Sequence, residues 1–177
     1  MSKRAKLLWM DLEMTGLDAN KDVILEVAVI ATNWNFEELG SWETVIHHAD
    51  DVLDNMDPWC VTQHGASGLT DKVKASKTSQ EQAEQQLLKF IDEHFAPEDK
   101  VLLAGNSIHM DRRFIVKHWP ALDGRLHYRM LDVSAWKVVF EGKLRGERFT
   151  KPDTHRALND IRGSIEELQF YLTKVRQ

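Results

Sequence analysis

The chain is poor in several things, and each shortage narrows what it can be. Its 177 residues include one cysteine, Cys60, so no internal disulfide can staple the fold, and Cys60 is expected as a partly buried reduced thiol. Only four prolines occur, and there is no linker-like Pro/Gly/Ser stretch, internal repeat or low-complexity tract. The simplest organisation is therefore one domain over residues 1–177. No apolar run approaches the ~18 residues of a membrane span, and Met1-Ser2-Lys3-Arg4-Ala5-Lys6 leads into only a short apolar run without a secretory core. A membrane association is not expected, and the expected compartment is the cytoplasm. Basic residues are outnumbered, 23 against 28 acids, for a formal net charge of −5. A protein that coats long nucleic acid through bulk positive charge is thereby excluded, whereas a small anion held by a few local cations is allowed.

What is present is an ordinary globular composition, 42% hydrophobic and 29% charged, in a chain long enough to bury a core without metals or disulfides. Charge is uneven: residues 101–156 hold 11 Lys/Arg and 6 Asp/Glu. Such a segment suits a small phosphate ester, and equally a solvated basic surface.

Hydrophobic patterning predicts strands over 6–13 and 23–31, the second apolar enough to be buried on both faces. Thr15-Gly16-Leu17-Asp18-Ala19-Asn20 between them is a turn or loop, and a third strand is expected near 41–47. Residues 49–77 predict loops with short helical pieces. Thr78-Ser79-Gln80-Glu81 has the form of a capping box opening a helix that carries Ala83, Leu87, Leu88, Ile91 and Phe95 and ends at Pro97. A short strand over 100–104, a turn at Gly105-Asn106, a helix carrying Asp111, Phe114 and Ile115, and a fifth strand near 127–132 follow. The last helix is expected from about 155 to 174, striped by Leu158, Ile161, Ile165, Leu168 and Leu172. Early strands followed by alternating helices and strands indicate an α/β or α+β sandwich.

The carboxylates carry the chemistry. Asp11 and Glu13 are two apart on the first strand, so both point to one face and Met10 and Leu12 to the other. Two acids on one face repel unless a cation or shared proton compensates, although a solvated strand end would also accommodate them. Asp111, five residues after Asn106, is either a further ligand or an acid stabilising a helix N-terminus. Asp160 lies at the edge of the last helix's apolar stripe, where an acid is costly unless paired or bound to metal. His155, five residues earlier, belongs on the entering loop, as a helix cap or as a base. If these groups converge, four hard oxygen donors suit Mg²⁺ or Mn²⁺ better than zinc or copper. Two such ions about 4 Å apart can hold the attacking and leaving oxygens of a phosphoryl displacement, and one neutral histidine can take a proton near pH 7.

In chain order, Asp11-x-Glu13, Asn106-x-x-x-x-Asp111 and His155-x-Ala157-x-x-Asp160 resemble the three motifs of the DEDDh family of 3′→5′ exonucleases. Trp9-Met10-Asp11-Leu12-Glu13-Met14-Thr15-Gly16-Leu17-Asp18, Thr62-Gln63-His64-Gly65-Ala66-Ser67-Gly68-Leu69, Gly105-Asn106-Ser107-Ile108, His127-Tyr128-Arg129-x-Leu131-Asp132-Val133-Ser134 and Thr154-His155-Arg156-Ala157-Leu158 look like the oligoribonuclease branch. The resemblance spans about residues 7 to 172. It implies a ribonuclease H-like fold, a mixed five-stranded sheet flanked by helices. It also implies hydrolysis of very short RNA, chiefly dinucleotides, to 5′-mononucleotides with two divalent cations, Mg²⁺ or Mn²⁺, and a homodimer. Asp11, Glu13, Asp111 and Asp160 match the metal ligands and His155 the general base. Asn159 departs from the pattern, standing where a second acid is expected beside Asp160.

By the same resemblance, Leu17 is an apolar wedge between the two bases, and Met56, Trp59 and His64 surround the 3′ nucleotide. Periodicity alone favours core packing for Leu17 and Trp59. Ser107, Arg129 and Ser134 match a cap on the substrate's 5′ phosphate, and Tyr128 a residue reaching it from a second subunit; without the resemblance Arg129 is a surface charge. Three alternatives remain at this point: a broader exonuclease of the same superfamily, a non-catalytic sensor of short RNA, and a structural interaction domain.

Overall fold

A computed structural model of the chain describes residues 4–144, 149–150 and 157–175. Its spine is a five-stranded sheet of order β3-β2-β1-β4-β5. The strands are β1 (Leu7–Met14), β2 (Ile24–Thr32), β3 (Glu38–Val45), β4 (Val101–Gly105) and β5 (Leu126–Asp132). β1 pairs antiparallel with β2 and parallel with β4; β2–β3 is antiparallel and β4–β5 parallel, so the sheet is mixed. The apolar run of β2 is buried along its whole length, as its lack of alternation requires.

Alternation along β1 divides the core. Leu8, Met10 and Leu12 pack with residues of α4 (Gln80–His94), α5 (His109–His118) and α6 (Pro120–Arg125) on one face. Leu7 and Trp9 pack with α7 (Val133–Val139) and α8 (Ala157–Val175) on the other. Between α7 and α8, Phe140–Leu144 forms a π-helical turn. A smaller cluster of Leu53, Met56, Cys60, Leu69 and Val73 joins α1 (Asp50–Asp54), α2 (Pro58–Ala66) and α3 (Leu69–Ala75) to Leu25 of β2. Among the described residues no helix is long and apolar enough to cross a membrane.

Two expectations need correction. The capping box of α4 is built on Ser79 and Gln82, not on Thr78 and Glu81: Ser79 Oγ accepts from Gln82 N–H, and the Gln82 side chain accepts from Ser79 N–H. Leu17 and Trp59 are not core residues, being 69% and 63% exposed. Leu17 sits on the β1–β2 loop, whose backbone is tied to Asp22: Thr15 Oγ1 donates to Asp22 Oδ1 at 3.0 Å and Asp18 N–H to Asp22 Oδ2 at 2.8 Å. With its ends held this way, the loop presents Leu17 outward. Trp59 follows the Pro58 that opens α2, with its N–H on the Asp57 carboxylate, and its ring lies on the solvent side of the first turn.

Candidate active site

The parallel pairing of β1 with β4 runs only from Leu7↔Leu102 to Trp9↔Ala104. Beyond Trp9, β1 outruns its neighbour, and on that edge it has no strand partner among the described residues. Gly105 brings the end of β4 close: a Cβ there would stand 2.9 Å from Met10 O, inside any ordinary contact. Asp111, on the first turn of α5, fills the gap, its Oδ1 accepting from Leu12 N–H at 2.9 Å.

Asp11 and Glu13 lie on the α8 face of β1, the face of Leu7 and Trp9, and α8 brings Asp160 to them. One carboxylate oxygen from each of Asp11, Glu13 and Asp160 lies within 4.8 Å of the others. Asp111 reaches the same strand end from the opposite helix layer. Three acids scattered over some 150 positions therefore share one point, and the fourth, Asp111, is bound to the same strand, where its charge acts on Glu13 and is acted on by Asp11. Asn159, the departure from the family pattern, is exposed on α8. His155 lies outside the described residues.

The electrostatics of the cluster are those of too many negative charges in too little water. The Glu13 carboxyl is pushed up to about 7, chiefly by burial and then by Glu26, Asp160 and Asp111. Asp111 is likewise held well above the usual carboxylate range, by burial first and the Asp11 charge second, against the lowering effect of its backbone N–H bonds. Glu26 is a contributor that sequence reasoning passed over: it is 5% exposed and directly opposite Glu13 in the β1–β2 register. The signal that could have found it is an acid inside an otherwise unbroken apolar strand. An all-oxygen, excess-negative set of this kind fits a hard divalent cation, which would supply the missing positive charge and return the acids to their ionised form.

Around this cluster lie the other residues singled out by sequence. His64 of α2 is 3% exposed; its Nε2–H donates to Met14 O at 2.8 Å, which leaves Nδ1 facing Glu13 Oε2 at 4.0 Å. Met56 is 7% exposed within the third core cluster. Cys60 is a buried free thiol whose pKa is raised by that burial.

At the far side of β4, Ser107 adopts a left-handed backbone, φ 50°. Its N–H is shared between Asp132 Oδ1 and Ser134 Oγ, each at 2.9 Å, and its hydroxyl lies 3.1 Å from Ser134 Oγ. Arg129 and Tyr128 are exposed on β5, an edge strand, with the guanidinium 5.0 Å over the Tyr128 ring and that ring stacked on His127. Ser107 and Ser134 are thus brought together, and Asn106 joins them to α8 through Ser164 and Glu167. Sequence reasoning noted Asn106 but missed Ser164 and Glu167. Both are buried polar residues on the core face of α8 that an apolar stripe does not reveal.

Comparison with known proteins agrees with this geometry. The exonuclease family model RNase_T matches residues 8–168. An oligoribonuclease of Francisella tularensis subsp. novicida is 46% identical over 176 residues, 99% of this chain and 98% of that protein. One from Pseudomonas syringae pv. tomato is 45% identical over 172 residues, 97% and 96% of the two. In fold, the chain resembles Escherichia coli exonuclease I solved with single-stranded DNA, with a TM-score of 0.75 and 15% identity over 98% of this chain and 41% of that one. An acid cluster at a strand end, carried on a mixed sheet of exonuclease type and matched along its full length by such relatives, places the chain in the oligoribonuclease branch of the exonuclease family.

Proposed function

We propose that the protein is a 3′→5′ exoribonuclease that hydrolyses very short RNA, chiefly dinucleotides, to 5′-mononucleotides. The convergence of Asp11, Glu13 and Asp160 within 4.8 Å, with Asp111 hooked to the same strand, is the observation that carries this reading. It is supported by the full-length similarity to oligoribonucleases.

Asp11, Glu13, Asp111 and Asp160 would hold two divalent cations, Mg²⁺ or Mn²⁺. Bound there, the ions would supply charge stabilisation for an in-line attack of water on phosphorus. The bond broken is that between phosphorus and the upstream 3′ oxygen, so the 3′ nucleotide departs with a 5′ phosphate. His155 takes the proton of the attacking water. The chain's rigid parts orient the substrate. Trp59 offers an exposed flat face for stacking the 3′ base, and Leu17, held outward by the Asp22-anchored loop, separates the two bases. His64 and Met56 back the 3′ nucleotide. Ser107, Ser134 and Arg129 cap the 5′ phosphate, with the guanidinium able to make paired bonds to its oxygens. That cap gives a substrate of two nucleotides a reason to fit better than a longer one.

Tyr128 and Met130 are exposed on the β5 edge strand, and Val138 and Val139 on α7 are 72% and 53% exposed. These exposed apolar side chains suit a second copy of the chain, in which Tyr128 of one protomer would reach the other's phosphate cap.

Turnover of a labelled RNA dinucleotide and a heptanucleotide, with Mg²⁺ or Mn²⁺ and with EDTA, tests the reading. Metal-dependent mononucleotide release with a strong dinucleotide preference is expected. Equal turnover of both lengths would indicate a broader trimming enzyme, and tight binding with no hydrolysis a sensor. Light scattering of the purified protein reads the dimer.

A further inference from the structure

Asn106 lies at the exit of β4, and its side chain bonds to two helices at once. Its Nδ2 donates to Glu167 Oε2 and to Ser164 Oγ, both at 3.0 Å on α8, and its Oδ1 accepts from Ser134 Oγ at 3.2 Å on α7. Chemistry dictates the amide's orientation. A carboxylate only accepts, so the nitrogen must face Glu167 and the oxygen Ser134.

The protons can then be followed one by one. Tyr171, fully buried, donates its hydroxyl to Glu167 Oε1 at 2.8 Å. Ser164 spends its proton on Asp160 O at 2.9 Å and so accepts from Asn106. Ser134 has one proton and gives it to Asn106; its lone pairs are left to accept from Ser107 N–H. Glu167 and Ser164 are each 4% exposed, so the α8 end of the network is shielded from water, whereas Asn106 and Ser134 are half-buried and Ser107 is exposed. The direction of the Ser134 hydroxyl bond thus descends from one buried carboxylate more than thirty positions away in sequence, while Asp132 Oδ1 independently accepts from the backbone N–H groups of Ser107 and Ser134.

We propose that Asn106 and Glu167 are positioning residues for recognition of the substrate's 5′ phosphate: Glu167 orients the Asn106 amide, and the amide holds Ser134, and through it Ser107, in the arrangement the phosphate meets. This deepens, and rests on, the phosphate cap proposed above. Neither residue touches the substrate. Their effect is on the ratio of activities with and without a 5′ phosphate, and not on hydrolysis as such.

The test compares kcat/KM of the purified full chain, with Mn²⁺, on one diribonucleotide bearing a 5′ phosphate and on the same compound bearing a 5′ hydroxyl. Wild type favours the phosphorylated form. Asn106→Ala lowers that preference about tenfold or more, mainly through KM for the phosphorylated substrate. Asn106→Asp sets two carboxylates against each other and loses the preference likewise. The double variant Asn106→Asp/Glu167→Gln restores a donor–acceptor pair with its ends exchanged, leaves Ser134 an acceptor for its proton, and recovers the preference to within about threefold. Thermal unfolding identifies which variants are folded. An unchanged preference in either folded single variant overturns the proposal. So do equal losses on both substrates, the mark of a merely structural role, or a folded double variant that recovers nothing. A wild type indifferent to the 5′ phosphate instead overturns the cap itself and the proposal with it, and a wild type without hydrolytic activity overturns the enzymatic reading.

Discussion

Replacing Glu13 with glutamine should stabilise the metal-free protein while disabling it. Burial and the neighbouring acids hold the Glu13 carboxyl at about 7 against an ordinary 4.5. The folded state therefore binds this proton more tightly than the unfolded chain does. The contribution is fully present below 4.5, is lost as pH rises from 4.5 to about 7, and is gone at pH 8. At 1.36 kcal/mol per pH unit the loss is on the order of 3 kcal/mol as an upper figure, the side chain being about one-quarter exposed. In a chain of this length about 1 kcal/mol moves Tm by roughly 2–4 °C. Glu13→Gln keeps the shape and removes the charge. In EDTA at pH 8 its Tm should exceed that of wild type by several degrees, and the difference should close as pH falls to 4.5. Added Mn²⁺ should raise the Tm of wild type at pH 8 and that of the variant much less, because the variant lacks one of the anions the ion would neutralise. The assay is thermal unfolding of both proteins from pH 4.5 to 8 with and without metal; taking differences between the two cancels the other titrating groups. A variant less stable than wild type at pH 8 in EDTA would refute the reasoning.

Gly105→Ala should cost about 1–3 kcal/mol, read by denaturant unfolding, since its new methyl would meet the Met10 carbonyl at 2.9 Å and push β4 away from the strand that carries Asp11. Trp59→Ala should leave Tm nearly unchanged, the ring being 63% exposed, and raise KM for dinucleotides roughly 5- to 100-fold, as loss of one stacking face predicts. His155→Ala should slow single-turnover hydrolysis about 10²- to 10⁴-fold while Mn²⁺ binding measured by calorimetry stays close to wild type; an unchanged rate would remove it as the base.

Much of the fold was legible because its signals are periodic. The unbroken apolar run of β2 and the alternation of β1 each admit few alternatives, and the observed strands differ from expectation by a residue or a few at their ends. The short helices α6 and α7 were not legible. Each has at most seven residues, too few for a periodicity to show, and their positions depend on neighbours: Trp119 N–H closes on Ile115 O just before Pro120, and Asp132 accepts from Ser134 N–H to start α7. The acids were legible only as an ordered set, since nothing in Asp-x-Glu alone distinguishes a ligand pair from a wet strand end. Leu17 and Trp59 show the opposite error. Hydrophobicity argues for burial, and only the anchoring of the loop by Asp22 and the Pro58 start of α2 turn them outward. Glu26, Ser164 and Glu167 escaped notice because a buried polar residue is recognised by its partners, and partners are set by tertiary structure.

The short reach of β4 along β1 has a last consequence. Asp160 and Asp111 approach the strand end from opposite sides of the sheet, so neither helical layer alone can assemble the proposed metal centre. With that centre as proposed, a nascent or partly melted chain that has docked only one layer would be chemically mute. Nuclease activity would then switch on with the last packing event, which would make turnover itself a sensitive gauge of whether the whole protein has folded.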